Sequence, residues 1–124
     1  MLCKDPKYLK IEHLQEGFVV IHNQLFVNKI KQKILEIEPN ATIILYGSRS
    51  RGDAKKNSDW DFLILVDHSF DFHQVEKIRN HLFEIELENN EIISSIVRSH
   101  SEWNSPKYIR SPFYQNIKKE GITL

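Results

Sequence analysis

The stretch Tyr46-Gly47-Ser48-Arg49-Ser50-Arg51-Gly52-Asp53-Ala54-Lys55-Lys56-Asn57-Ser58-Asp59-Trp60-Asp61 decides how this chain is read. An apolar run, Ala41 to Tyr46, leads into Gly47-Ser48, and a second, Phe62 to Val66, follows Asp61. Both runs are short, rich in β-branched or aromatic residues and bounded by turn formers, which predicts two buried strands. Side chains alternate along a strand, so Asp59 and Asp61 project to one side. Two adjacent carboxylates repel unless a cation lies between them, and a hard divalent ion such as Mg²⁺ suits that place.

The first half of the stretch carries the complementary chemistry. Gly47 permits a sharp turn and close approach to a ligand, and Ser48 offers a hydroxyl and an amide. A helical turn opening at Ser48 would present free amides to an anion. Arg49, Arg51, Lys55 and Lys56 place cations between that turn and the acid pair. Each is as well explained by a solvated loop face, and Arg51 equally by pairing with Asp53. A P-loop is excluded, because Asp53-Ala54 follows Gly52 where that motif needs Lys-Ser/Thr. The combination points to metal-assisted phosphoryl or nucleotidyl transfer.

Gly47-Ser48, ten intervening residues and Asp59-x-Asp61 resemble the signature of the DNA polymerase beta-like nucleotidyltransferase superfamily. The fuller string Gly-Ser-Arg-x-Arg-Gly-Asp, then Ser-Asp-x-Asp, resembles its small prokaryotic branch, the minimal nucleotidyltransferases. The resemblance implies an α/β (α+β) fold, a small mixed β-sheet with flanking helices. It implies attack by a hydroxyl on the α-phosphorus of ATP or another nucleoside triphosphate, with as many as two Mg²⁺ ions. By motif position, Asp59 and Asp61 would be catalytic metal ligands, and Gly47, Ser48, Arg49 and Arg51 would bind nucleotide. The family also places a third carboxylate on the strand after the next helix, where this chain reads Ser94-Ser95. Glu86, Glu88 and Glu91 are the nearest acids. A missing third acid puts turnover in doubt more than nucleotide binding. Minimal nucleotidyltransferases are often paired with a helical HEPN-type partner in toxin–antitoxin modules. A catalytically weak antitoxin or binding module is therefore the alternative to an active enzyme.

The remaining sequence sets the frame. At 124 residues, with 17 acidic and 17 basic side chains, the chain has one domain's length and no global field to draw in nucleic acid. An RNA-end or tRNA nucleotidyltransferase is correspondingly disfavoured. The single Cys3 cannot form an internal disulfide, and no targeting segment or membrane-length apolar run is seen, so a cytoplasmic protein is expected. His68 and His73 have no cysteine partners and read as surface or capping residues. Asp67 reads as a strand end.

Residues 1–22 form an uncertain N-terminal extension, and 23–124 the nucleotidyltransferase domain. In the extension, Asp5-Pro6 resembles a helix start, Gly17 a stop, and Phe18 to Ile21 a small strand, with packing on the domain or self-association into a homo-oligomer both open. Asn23 is expected to cap a helix to about Glu38, with Phe26, Ile30, Ile34 and Ile37 inward. Asp71 and Gln74 resemble a capping box opening a second helix, with the stripe Phe72, Val75, Ile78, Leu82 and Ile85. Phe83 to Glu88 alternates with period two, but a helix ending at left-handed Asn90 is preferred. Residues 91–98 follow as a strand, Ser99 to Glu102 as a capping box, and Ser111-Pro112 as the start of a last helix stopped by Gly121.

Overall fold

A computed structural model describes residues 8–10, 18–20, 23–68 and 71–124. Strands β1 (Tyr8–Lys10) and β2 (Phe18–Val20) pair antiparallel. The expected features at Asp5-Pro6, Gly17 and Ile21 lie outside the described residues.

The main sheet has four strands in the order β5-β4-β3-β6: β5 (Ile93–Ser99), β4 (Trp60–Val66), β3 (Thr42–Tyr46) and β6 (Ile122–Thr123). β4 runs antiparallel to β3 and parallel to β5, and β6 runs antiparallel to β3. The sheet is mixed, as expected, and helices cover both faces. Alternation along β4 sorts the layers. Trp60, Phe62, Ile64 and Val66 face α1 (Gln24–Ile37) and α3 (Phe72–Asn89), joining Phe26, Ile30, Ile34, Val75, Ile78, Leu82 and Ile85 in the larger core. Leu63 and Leu65 face the other way, onto Trp103 and Ile117. Those two come from a C-terminal layer built of α4 (His100–Trp103), α5 (Pro106–Ile109) and α6 (Pro112–Glu120). Trp60 is only 1% exposed and packs tilted against Phe26, ring centres 5.1 Å apart, so it anchors the start of β4. Burial of a large aromatic contributes about 2–3 kcal/mol.

Several local expectations need revision. Asn23 precedes α1, but its backbone is left-handed and its side chain makes no cap. Its carbonyl instead accepts from the amides of Phe26 and Val27. Phe72 is 67% exposed, because it is the first residue of α3 and projects beyond the packed turns. Asp71 caps α3 through the amide of His73. α3 does continue through the alternating segment to Asn89, where Asn90 takes φ 53° and stops it. β5 starts at Ile93, later than expected. Ser99 caps α4 and Ser111 caps α6. Beyond Gly121, where the sequence signals only a stop, the chain adds the short strand β6 to the edge of β3. Gly121 is required by space there: a Cβ would lie 2.5 Å from the Ile117 carbonyl and 2.8 Å from Ile44 Cγ2.

Candidate active site

The candidate site lies where β3 ends and β4 begins, on the sheet face covered by α6. β3 leaves the sheet at Tyr46, and Gly47 turns the chain with φ 77°. A single helical turn, α2 (Ser48–Arg51), follows and is closed by Gly52 at φ 83°. The Gly47 carbonyl accepts from the amides of Ser50 and Arg51 and from Ser50 Oγ at 2.8 Å, which fixes the turn. Gly47 is constrained twice: a side chain there would be strained by the backbone and would collide with the Asp61 carboxylate.

Asp61 is the second residue of β4, opposite Tyr46 on β3 and beside Ser94 on β5. Asp59 lies just ahead of the strand and is exposed. The two are close enough that Asp59 helps raise the Asp61 carboxyl pKa above its ordinary value. Burial is the larger cause, the Arg51 guanidinium opposes the shift, and Glu120 adds to it. Tyr46 is pushed up to about 12 by burial and by the Asp61 charge, so its hydroxyl keeps its proton at neutral pH. Its ring packs edge-on against Phe113 of α6.

The two arginines have different places. Arg49 is turned inward, with its side chain 13% exposed. Its guanidinium donates to the carbonyls of Lys56 and Ser58 at 3.0–3.3 Å and lies 4.6 Å over the Trp60 ring. It therefore ties the loop 52–59 to the strand and delivers Asp59 beside Asp61. Arg51 is more open, bound to Asp53 at 3.1 Å and to Glu120. Its pairing with Asp53 is the alternative raised from sequence. Among the described residues no hydrogen bond engages the Ser48 hydroxyl or amide.

The acids considered for the third carboxylate are held elsewhere. Glu86 accepts from the Ile93 amide, Glu88 faces Lys29, and Glu91 accepts from Trp60 Nε1 at 3.2 Å beside Arg49. Ser94 occupies the β5 position next to Asp61. The carboxylate that does enter the site comes from Glu120 at the end of α6. No motif announced it: Gly121 beside it reads only as a stop signal, and the contact joins residues 73 positions apart.

Among the described residues no group of three or more His, Cys, Asp or Glu side chains is placed to hold a metal on its own. Asp59 and Asp61 nevertheless fit a hard divalent cation. They form a pair in which the inner carboxylate is destabilised by burial and by its neighbour, and a bound cation would relieve both effects. Mg²⁺ characteristically takes one or two carboxylates and completes its shell with phosphate oxygens and water.

A strand–turn–strand unit that opposes a glycine-serine turn to an aspartate pair defines a nucleotide-transfer fold. The chain belongs to the nucleotidyltransferase domain family, whose model matches residues 27–122, and it is a nucleotidyltransferase. It is 34% identical over 99 residues to a Methanocaldococcus jannaschii protein named "Putative protein adenylyltransferase MJ0604", covering 80% of this chain and 90% of that one. Two solved structures share the fold. One is a toxin–antitoxin with AMP-PNP (TM-score 0.54, 18% identity, 77% of this chain and 69% of that one). The other is the toxin–antitoxin MntA-HpeT carrying two aspartate-to-glutamate substitutions (TM-score 0.52, 20% identity, with the same coverage of each chain). Among the described residues no helix is long and apolar enough to cross a membrane.

Proposed function

We propose that this chain transfers a nucleoside monophosphate, AMP from ATP, to a hydroxyl of a protein or small molecule, with Mg²⁺ held at Asp59 and Asp61. The observation that carries the reading is the seating of Asp61 against Gly47, with Asp59 beside it. That contact puts the acid pair and the phosphate turn within reach of one ligand. The name of the M. jannaschii relative supports adenylyl transfer to protein, and AMP-PNP in one structural neighbour supports an adenine nucleotide.

In this reading Gly47 and Ser48 hold the phosphate tail through backbone amides and the serine hydroxyl. Arg51, the more exposed arginine, neutralises phosphate charge. The Arg49 guanidinium is instead turned onto the Lys56 and Ser58 carbonyls and the Trp60 ring. It acts as a brace for the loop that carries Asp59. When bound, Mg²⁺ supplies charge stabilisation for the attacking and leaving oxygens. Incubation with ATP labelled at the α-phosphorus, Mg²⁺ and candidate acceptors tests the proposal. Label transfer that disappears in D59N and D61N is expected; transfer unaffected by either substitution refutes it.

One observation favours a second reading. Ser94 stands beside Asp61 where the resembled family has a carboxylate, which suits a weakly active protein that works by binding. Both structural neighbours are toxin–antitoxin assemblies, and a small helical HEPN-type protein is the partner this reading expects. Co-expression with the neighbouring open reading frame tests it: a partner that co-purifies and is neutralised equally by wild type and D61N supports binding alone. Neutralisation lost in D61N supports modification.

A further inference from the structure

The end of α6 places a carboxylate on the turn assigned above to phosphate. Glu120 Oε1 accepts from the Gly47 amide at 3.3 Å and from Arg51 Nη1 at 3.3 Å, and Oε2 accepts from the same Nη1 at 3.1 Å. The Glu120 side chain is 21% exposed, against 45% for Arg51, so the glutamate is the more enclosed partner. It is also near enough to Asp61 to help raise that carboxyl.

Gly47 N–H and the Arg51 guanidinium are thus already serving an anion. The single Gly47 N–H cannot serve a phosphate oxygen and Glu120 together, and an incoming phosphate would face Glu120 in addition to Asp59 and Asp61. We propose that Glu120 is the resident anion of this cradle, displaced when a phosphate ligand binds, and that this exchange selects a polyphosphate over a single phosphate group. Orthophosphate replaces one anion by another and gains little. A chain of phosphate groups gains further contacts once the exchange is made. Glu120 is the last residue of α6, so rotation of its side chain releases the cradle without moving the helix. The inference rests on the nucleotide reading of the site and adds to it the residue that sets its selectivity.

The test is equilibrium binding of tripolyphosphate, orthophosphate and ATP with Mg²⁺ to the full chain, in wild type, E120Q and E120A. Removing one like charge near the ligand is expected to tighten tripolyphosphate binding about tenfold in both variants. Orthophosphate binding should become measurable only in the variants. In the wild type, saturating tripolyphosphate should shift the ¹³C resonance of the Glu120 carboxylate. Unchanged or weaker tripolyphosphate binding in both variants, or an unmoved Glu120 resonance, overturns the exchange. ATP bound by all three proteins with equal affinity sinks the exchange and leaves the nucleotide reading standing. Failure of all three to bind ATP or tripolyphosphate sinks both.

Discussion

The two ends of β4 both carry aspartate, and the fold treats them oppositely. At the Val66 end, Asp67 Oδ1 lies 2.9 Å from His100 Nδ1, off the hydrogen-bond axis, while His100 Nε2 is 2.9 Å from Thr42 Oγ1. That acid has an imidazole beside it and a hydroxyl behind the imidazole. At the Trp60 end, both arginines have other partners. Arg49 is spent on loop carbonyls and on Trp60, and Arg51 is shared between Asp53 and Glu120. Asp61 is left with a raised carboxyl pKa. The contrast teaches that acids at the two ends of one strand are set apart by the side chains that face them. Arg51 offsets that shift only in part, and a further cation beside Asp61 would favour its charged form.

The largest expected effect breaks the comparison outright. D61N should lower adenylyl transfer about a thousandfold, whereas D67N should stay within about twofold. Both are read in the same labelled-ATP assay, with circular dichroism to confirm folding. Equal losses would mean that the two ends are not functionally distinct.

Next in size is the turn that faces Asp61. Gly47→Ala should cost about 2–3 kcal/mol in urea unfolding, because strain and collision add. Gly52→Ala shares the positive φ but meets nothing within 4 Å, and should cost only about 1 kcal/mol. Equal costs would remove the close approach to Asp61 as an explanation.

The arginines sharpen the comparison further. Arg49→Ala should lose about 1–2 kcal/mol of stability, since part-buried carbonyl contacts and the ring contact go with it. Arg51→Ala should lose under about 1 kcal/mol, as its pairs are more exposed, while weakening ATP binding. Urea midpoints and ATP titrations of the two variants separate the roles.

The smallest effect lies in acid titration. The folded Asp61 carboxyl titrates above its ordinary 3.8, so the folded state binds the proton more tightly than the unfolded one. The stability this contributes is fully present below 3.8 and is lost as pH rises through the raised folded value. Melting temperature against pH should therefore lose this component in D61N. At neutral pH, Mg²⁺ should raise the melting temperature of wild type and leave D61N unmoved.

Much of this arrangement was legible in residue order. Short β-branched runs on either side of Gly47-Ser48 and Asp59-x-Asp61 admit little besides paired strands. The nearness of Asp59 to Asp61 follows from their two-residue spacing, although Asp59 lies just ahead of β4, and Asn90 marks the end of α3. The positions of Arg49 and Glu120 were not legible, for related reasons. Arg49 is directed by backbone carbonyls, which carry no signature in a sequence. Glu120 meets its partners only after α6 has packed across Leu63 and Leu65. Phe72 shows the limit of periodicity, since a residue can fall on the apolar stripe and still overhang the end of the core.

The alternation along β4 has an implication for how the candidate site forms. Trp60 and Asp61 are neighbours with opposite destinations, one sealed under α1 and the other turned to Gly47. Slipping the strand by a single position would drive carboxylates into the hydrocarbon layer and expel the indole into water. Errors of pairing that would displace Asp61 from the candidate site are thereby heavily penalised thermodynamically. A molecule that has folded has thereby already set Asp61 against Gly47.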